Sequence, residues 1–500
     1  MNAEISSIRP LIAILLPGLS LLGVLLIPAN YQGLKRAVHV IASLGAFGVV
    51  LSLLPGILSG NVYAIELIPI VERVSIHLTI DALGYYYGLV LTFLWVLATI
   101  YSLGYIKHKD DRYYSFMALC HSFLLGCAFS QNIFTYFIFY ELMTLATFPL
   151  IIHEETDAAR RAGIKYLKYA IPAGAVILFA VLLHYFWGGG DLSLVSLGIL
   201  SLDTASRTVL TVIFLAYFAG FGVKAAIVPL EGWVPDAHPA APAPASALLS
   251  GIILKAGAFA IIRVVLYVFG LSLFAELSLW IPMVVIASIT IVLGSVRALA
   301  QDNLKRRLAY SSVGQVSYIL LGIALMSPYG ALGGIMHLAH HALMKGCLFF
   351  CSGIILKKTG KKNISEMAGV GYRLPVTMIC FSVCALAMMG TPLTVGFISK
   401  WLLGSGAVQA DKPFFIVVLL VSALLNAVYY LPIIYTAFFR RPEGDDEYQA
   451  LQFKGEVSRT MLWPAVVLAV LVVLAGVWVT APGFPHSLAS LVVAGLFPVR

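Results

Sequence analysis

Charge is scarce in this chain. Asp, Glu, Lys and Arg make up 11% of its 500 residues, against 60% hydrophobic ones, and the mean hydropathy is +0.95. A water-soluble domain of this size needs far more surface charge, so that class is excluded. Cysteine is also sparse: Cys120, Cys127, Cys347, Cys351, Cys380 and Cys384 include no CxxC, CxxCH or iron–sulfur spacing. Two pairs fall at i,i+4 and read as small apolar helix residues rather than a metal site. The first apolar run, 10–28, lacks a cationic leader and a clear cleavage site, so it reads as a retained span.

What the chain does have is apolar runs of about 20 residues, each able to cross ~30 Å of hydrocarbon as a helix. In lipid every backbone group must bond internally. The runs predict an all-α polytopic membrane protein with about 14 transmembrane helices. They fall near 9–28, 37–59, 80–105, 113–130, 132–152, 163–187 and 208–228, then 245–268, 274–296, 308–326, 330–356, 375–405, 413–438 and 460–481.

The formal net charge of +9 would suit nucleic acid or an acidic partner, but its distribution points to topology. Loops after odd-numbered spans hold Lys107 and Lys109, Arg160 and Arg161, Lys305 to Arg307, Lys357, Lys358, Lys361 and Lys362. Loops after even-numbered spans and both termini hold only Arg9, Arg73, Arg207, Lys412 and Arg500. By the positive-inside rule, the first set is cytoplasmic and both termini lie outside the cytoplasm. Docking of an acidic cytoplasmic partner on some basic loops is the other reading; nucleic acid is not expected.

Two spans are interrupted. Pro229 and Pro235 fall just after Lys224, in a stretch that also holds Asp236 and His238. Gly390, Pro392 and Gly396 precede Lys400 in the twelfth span. Proline removes a backbone donor and clashes one turn back, so neither helix continues regularly. Paired breaks five spans apart predict two inverted five-helix repeats, spans four to eight and nine to thirteen, with helices 7 and 12 broken. An ordinary proline kink is the simpler alternative, but it does not call for a neighbouring lysine twice. The boundaries expected are 1–110 for three N-terminal helices, 111–270 and 271–440 for the repeats, and 441–500 for the last helix and tail.

Glu141, Lys224, Lys255, Lys345 and Lys400 sit within or beside these runs. Each ionised group at mid-bilayer costs roughly 2.5–3.5 kcal/mol, so each calls for partners, water and a role. Lys224 is the natural partner of Glu141 if their helices touch, either as a fixed bridge or as a pair that switches when a charge approaches. Lys255 lies ~15 Å from either end of its span, too deep to snorkel. His337, His341 and Lys345 recur every four residues and share one helical face. Imidazole both accepts and donates protons near neutrality, so this face suits proton relay. Zinc would also accept the histidine pair, but no third ligand is near. Ser311, Ser312, Gln315, Ser317 and Tyr318 make the tenth span polar, for holding water or for interhelical bonding.

These segments resemble the antiporter-like family shared by respiratory complex I, Mrp-type cation/proton antiporters and membrane-bound hydrogenases. The resemblance covers about residues 75–440 and rests on Phe139-Tyr-Glu141-Leu-Met, Gly222-Val-Lys224-Ala-Ala, the block Trp233 to Gly251, His337 to Lys345, and Gly396-Phe-Ile-Ser-Lys400. It implies that Glu141 and Lys224 form a switching pair, Lys255 is a central relay, His337, His341 and Lys345 continue the path, and Lys400 is its terminal group. Protons would enter from the cytoplasm, run laterally near the midplane and exit outward. Asp236, His238, Ser311 and Gln315 are accessory polar candidates. No flavin, iron–sulfur cluster, haem or metal is expected in the subunit itself. A long lateral C-terminal helix, present in some members, has no room in residues 482–500, which favours the fourteen-helix subunits such as the Mrp D-type and hydrogenase-associated ones. Lys400 in place of Glu disfavours the middle complex I subunit.

The function expected is a proton-translocating subunit of a multisubunit energy-converting complex in a prokaryotic cell membrane. Its partners would be homologous and small membrane subunits, lipid, a soluble redox module, and H+ with or without Na+. The alternative is a membrane partner of a soluble enzyme, as in inorganic-carbon uptake systems. A quinone-reducing enzyme has no cofactor site to support it.

Overall fold

The computed structural model describes residues 4–195, 198–441 and 456–497. Residues 442–455 and 498–500 of the 441–500 region, Arg500 among them, lie outside these. The chain opens with β1 (Glu4–Ser6), α1 (Arg9–Leu26), α2 (Gln32–Leu51) and α3 (Leu54–Leu58). Large apolar residues of α1 stay exposed, Leu25 and Leu26 at 78% each, because their solvent is hydrocarbon rather than water. A small sheet follows. β2 (Val62–Val71) pairs parallel with β1 and antiparallel with β3 (Val74–Ile80), turning at Glu72–Arg73. It is an addition to the all-α expectation.

The body comprises α4 (Ala82–Tyr105), α5 (Asp110–Ala128), α6 (Ile133–Ile151), α7 (Asp157–Trp187) and α8 (Arg207–Ala225). Side chains cap these starts: Asp81 accepts from Gly84 N at 2.8 Å and Asn132 from Thr135 N at 2.7 Å. The expected first break is present. The chain leaves α8 through Ala226 in the left-handed region (φ 60°), passes Pro229 and restarts as the short α9 (Val234–Ala240). The freed backbone finds new partners: Trp233 Nε1 donates to Val223 O at 2.9 Å, and Val228 N donates to Thr290 Oγ1 at 3.0 Å.

A long helix then runs as α10 (Ala243–Leu248), a π-helical turn (Leu249–Ile253), α11 (Leu254–Arg263), a second π-helical turn (Val264–Phe269) and α12 (Gly270–Glu276). Next come α13 (Trp280–Leu299), α14 (Leu304–Ala324), α15 (Pro328–Thr359) and the short α16 (Val370–Arg373). The most apolar stretch of α15 is wholly buried, which makes it the central post of the bundle. The second break is also present: α17 (Pro375–Met389) ends at Gly390 (φ 97°) and α18 (Val395–Gln409) begins after it. α19 (Phe414–Phe439), α20 (Arg459–Val477) and α21 (Pro485–Leu496) complete the described fold.

Among the described residues, 11 helices are long and apolar enough to cross a membrane. The three other expected spans have physical reasons for falling short. The start of α5 carries Asp110, Asp111 and Arg112, and that of α14 carries Lys305, Arg306 and Arg307. The span at 375–405 is divided into α17 and α18, 15 residues each.

Candidate functional site

Lys255 follows directly on the π-helical turn Leu249–Ile253. A π turn bonds i to i+5 and leaves nearby carbonyls without their usual α-helical donors. Lys255 Nζ donates to two of them, Ser250 O at 2.9 Å and Gly251 O at 2.7 Å. The side chain is completely buried, so the snorkelling alternative is excluded. Gly257, two residues on, lets α11 press against α8: a Cβ there would lie 2.4 Å from Ala225 N.

The face expected on α15 is observed. The His337 and His341 rings stack with centroids 5.7 Å apart, and His337 stacks on Tyr318 at 5.2 Å. His337 Nδ1 lies 2.9 Å from Ser399 Oγ. Lys345 Nζ donates to Leu308 O at 2.8 Å and to Tyr430 OH at 3.2 Å. All three residues are fully buried.

Lys400 continues this line. Its Nζ lies 5.7 Å from the centre of the Tyr318 ring and donates to Met388 O at 2.6 Å. Met388 is in the last turn of α17, where helix carbonyls carry partial negative charge and lack intrahelical donors. Asn426 Nδ2 donates to the same oxygen at 3.1 Å. The second break thus manufactures the acceptor that holds the lysine. Lys400 is partly exposed, unlike the residues between it and Lys255.

Of the two expectations for Glu141 and Lys224, the fixed bridge is not observed. No ion pair joins them among the described residues. Lys224 Nζ donates instead to Thr144 Oγ1 at 2.6 Å and Tyr166 OH at 3.4 Å, and sits 4.4 Å from the Tyr140 ring centre. Glu141 leans toward α7, where a Cβ on Gly174 would meet its carboxyl at 2.7 Å. Its Oε1 has no hydrogen-bond partner, and the residue is partly exposed.

The accessory candidates divide. Ser311 Oγ is 3.0 Å from Tyr430 OH and accepts from Tyr429 OH at 2.8 Å, which ties it to Lys345 through Tyr430. Gln315 is buried with Oε1 lacking a partner. His238 is buried, stacked on Phe349 at 4.8 Å, with both ring nitrogens without partners. Asp236 lies apart from the line, 2.6 Å from Lys165 Nζ and 3.2 Å from Arg306 Nη2. Thr144, Ser399, Asn426 and Tyr430 were not singled out from sequence. Asn426, polar within an otherwise apolar run, was the one visible signal.

With this geometry in view, comparison with known proteins gives one family. The model described as "NADH:quinone oxidoreductase/Mrp antiporter, TM" matches residues 130–426, which include every group from Glu141 to Lys400. NADH-quinone oxidoreductase subunit N of Desulforudis audaxviator is 33% identical over 81% of this chain and 82% of its own length. Hydrogenase-4 component B of Escherichia coli is 31% identical over 84% of this chain and 65% of its own length. A chain of the membrane-bound sulfane sulfur reductase, an archaeal respiratory membrane complex, superposes with TM-score 0.85 at 25% identity, covering 98% of this chain and 100% of that one. The chain belongs to the family of antiporter-like membrane subunits shared by complex I, Mrp and hydrogenase-type assemblies.

Proposed function

We propose that this subunit translocates protons within a multisubunit energy-converting complex, along Glu141, Lys224, Lys255, His341, His337, Lys345 and Lys400. The observation that carries the reading is the stacked pair His337–His341, fully buried, with Lys345 one turn on along the same face and Lys400 reached through Tyr318. Imidazole passes protons through its two nitrogens, and ammonium groups held by carbonyls supply the charge that drives the next transfer. A charge arriving at Glu141 disturbs Lys224, and the disturbance travels through Lys255 to Lys400. Gln315, His238 and Ser311 line or adjoin the route as accessory polar groups, and Asp236 marks its basic-loop side.

Fourteen spans, two inverted repeats over 111–270 and 271–440, and both termini outside the cytoplasm fit this reading. So do neighbouring membrane subunits and an attached soluble redox module, with Na+ as a second candidate ion. Relatives named as oxidoreductase and hydrogenase components favour it over the partner of a soluble enzyme. The test is the double variant His337→Phe/His341→Phe, which keeps the stack and removes the nitrogens. Proteoliposomes of the assembled variant complex should lose dye-detected proton movement; wild-type movement refutes the path.

A further inference from the structure

On the face of the basic loops the fold forms a cleft of about 770 Å³, open on one side, that meets the proposed proton route only at Asp236. This lies within the range of small-molecule sites, about 300–1,000 Å³. Its walls come from the first turns of α7, from α9, from the start of α14 and from the loop after α15. Arg161, Lys165, Lys305, Arg306 and Lys362 all face it. Two acids also line it. Asp236 is already engaged by Lys165 and Arg306, and Glu154 lies 3.7 Å from His108 Nε2 at the exposed rim.

Lys305 is the informative residue. It is 9% exposed, and its ammonium has one hydrogen-bond acceptor, Ala241 O at 2.8 Å. An ammonium carries three donors, so two can turn to a ligand in the cleft. Lysines that merely set topology stay solvated; one buried in the first turn of α14 does not follow from topology. Two long helices also start here, α7 capped by Thr156 and α14 capped by Asn303. Each helix start adds roughly half a positive charge. Arginine forks beside them match phosphate oxygens in pairs. By the positive-inside reading this face is cytoplasmic, at headgroup level, where basic pockets between spans take anionic headgroups.

We propose that this cavity binds a phosphate-bearing anion, from a cytoplasmic-leaflet phospholipid headgroup or from free phosphate, with Lys305 donating to its oxygens. The site shares only Asp236 with the proposed route and stands whether or not that route conducts.

The test uses full-length protein, delipidated in neutral detergent and titrated separately with dioctanoyl-phosphatidylglycerol, dioctanoyl-phosphatidylcholine and inorganic phosphate. Native mass spectrometry reads stoichiometry, and calorimetry reads affinity. Phosphatidylglycerol or phosphate should bind one to one, and phosphatidylcholine should not. Lys305→Gln should weaken binding about fivefold, and Arg161→Ser/Lys362→Ser about 25-fold. Binding of phosphatidylglycerol without phosphate binding assigns the lipid source; phosphate that binds and displaces the lipid assigns the free anion. The Arg161/Lys362 pair lies at the cavity's outer rim, so its variant serves even if Lys305→Gln fails to fold. Equal affinity for both lipids with no phosphate binding, or unchanged affinity in the rim variant, overturns the proposal.

Discussion

Replacing Lys255 with Met separates a relay from a structural bond, because the two roles predict opposite results. The substitution leaves Ser250 O and Gly251 O without their donor. Each buried unsatisfied group costs about 1–3 kcal/mol, so the loss is about 2–6 kcal/mol. Against it stands relief from burying an ammonium, worth several kcal/mol after relaxation. The two nearly cancel, and Lys255→Met should assemble with stability within about 3 kcal/mol of wild type. Transport should not survive. A proton crossing the gap without a titratable group meets roughly the 2.5–3.5 kcal/mol of an unsupported mid-membrane charge. That corresponds to about a hundredfold slower transfer. Assembly is read by gel filtration of the whole complex and transport by pH-dye quenching in proteoliposomes. An assembled Lys255→Met complex that moves protons at the wild-type rate refutes the reasoning.

Asp81→Asn should destabilise by about 3–5 kcal/mol, because it strips the bidentate partner (2.6 Å on both arms) from the buried Arg263. Arg263→Met in the same chain should recover most of the loss, measured as thermal inactivation in detergent. Gly257→Ala should push α11 off α8. It should cost about 1–3 kcal/mol and lower transport in the reconstituted complex. In the loop between α6 and α7, Lys109 and Arg112 hold the Glu155 carboxyl down from 4.5 to about 2. A carboxylate depressed on folding supports the loop above pH 4.5 and loses that support as pH falls toward 2. Hydrogen exchange over residues 106–112 should be faster in Glu155→Gln than in wild type at pH ~6, and most of that difference should be gone at pH ~2; a constant difference across that range contradicts the assignment.

Periodicity sufficed for the α15 face, since four-residue spacing on a helix fixes which side chains meet. Proline and glycine likewise marked both helix breaks. What escaped were features set by neighbouring elements. Lys224 bonds Thr144 while Glu141 occupies the space left by Gly174 on α7, an arrangement no spacing reveals. The acceptors of Lys255 and Lys400 are backbone carbonyls released by a π turn and a broken helix, and backbone groups have no signature in composition. The hairpin at Val62–Ile80 did have one: β-branched residues on both sides of a turn at Arg73 with φ 64°. It lies in the interval between the expected spans 37–59 and 80–105, which a count of spans passes over.

The turn Leu249–Ile253 amounts to one residue more than a regular helix would spend there. Deleting a single residue within it would heal the helix and spare its ends. It would also swing everything downstream by about 100° around the axis, one residue's share of a 3.6-residue turn. Lys255 would then leave His341 and face another helix altogether. A lineage that lost this surplus residue would keep a well-formed membrane protein with its wiring cut, so indel events at this position should separate conducting members from silent ones.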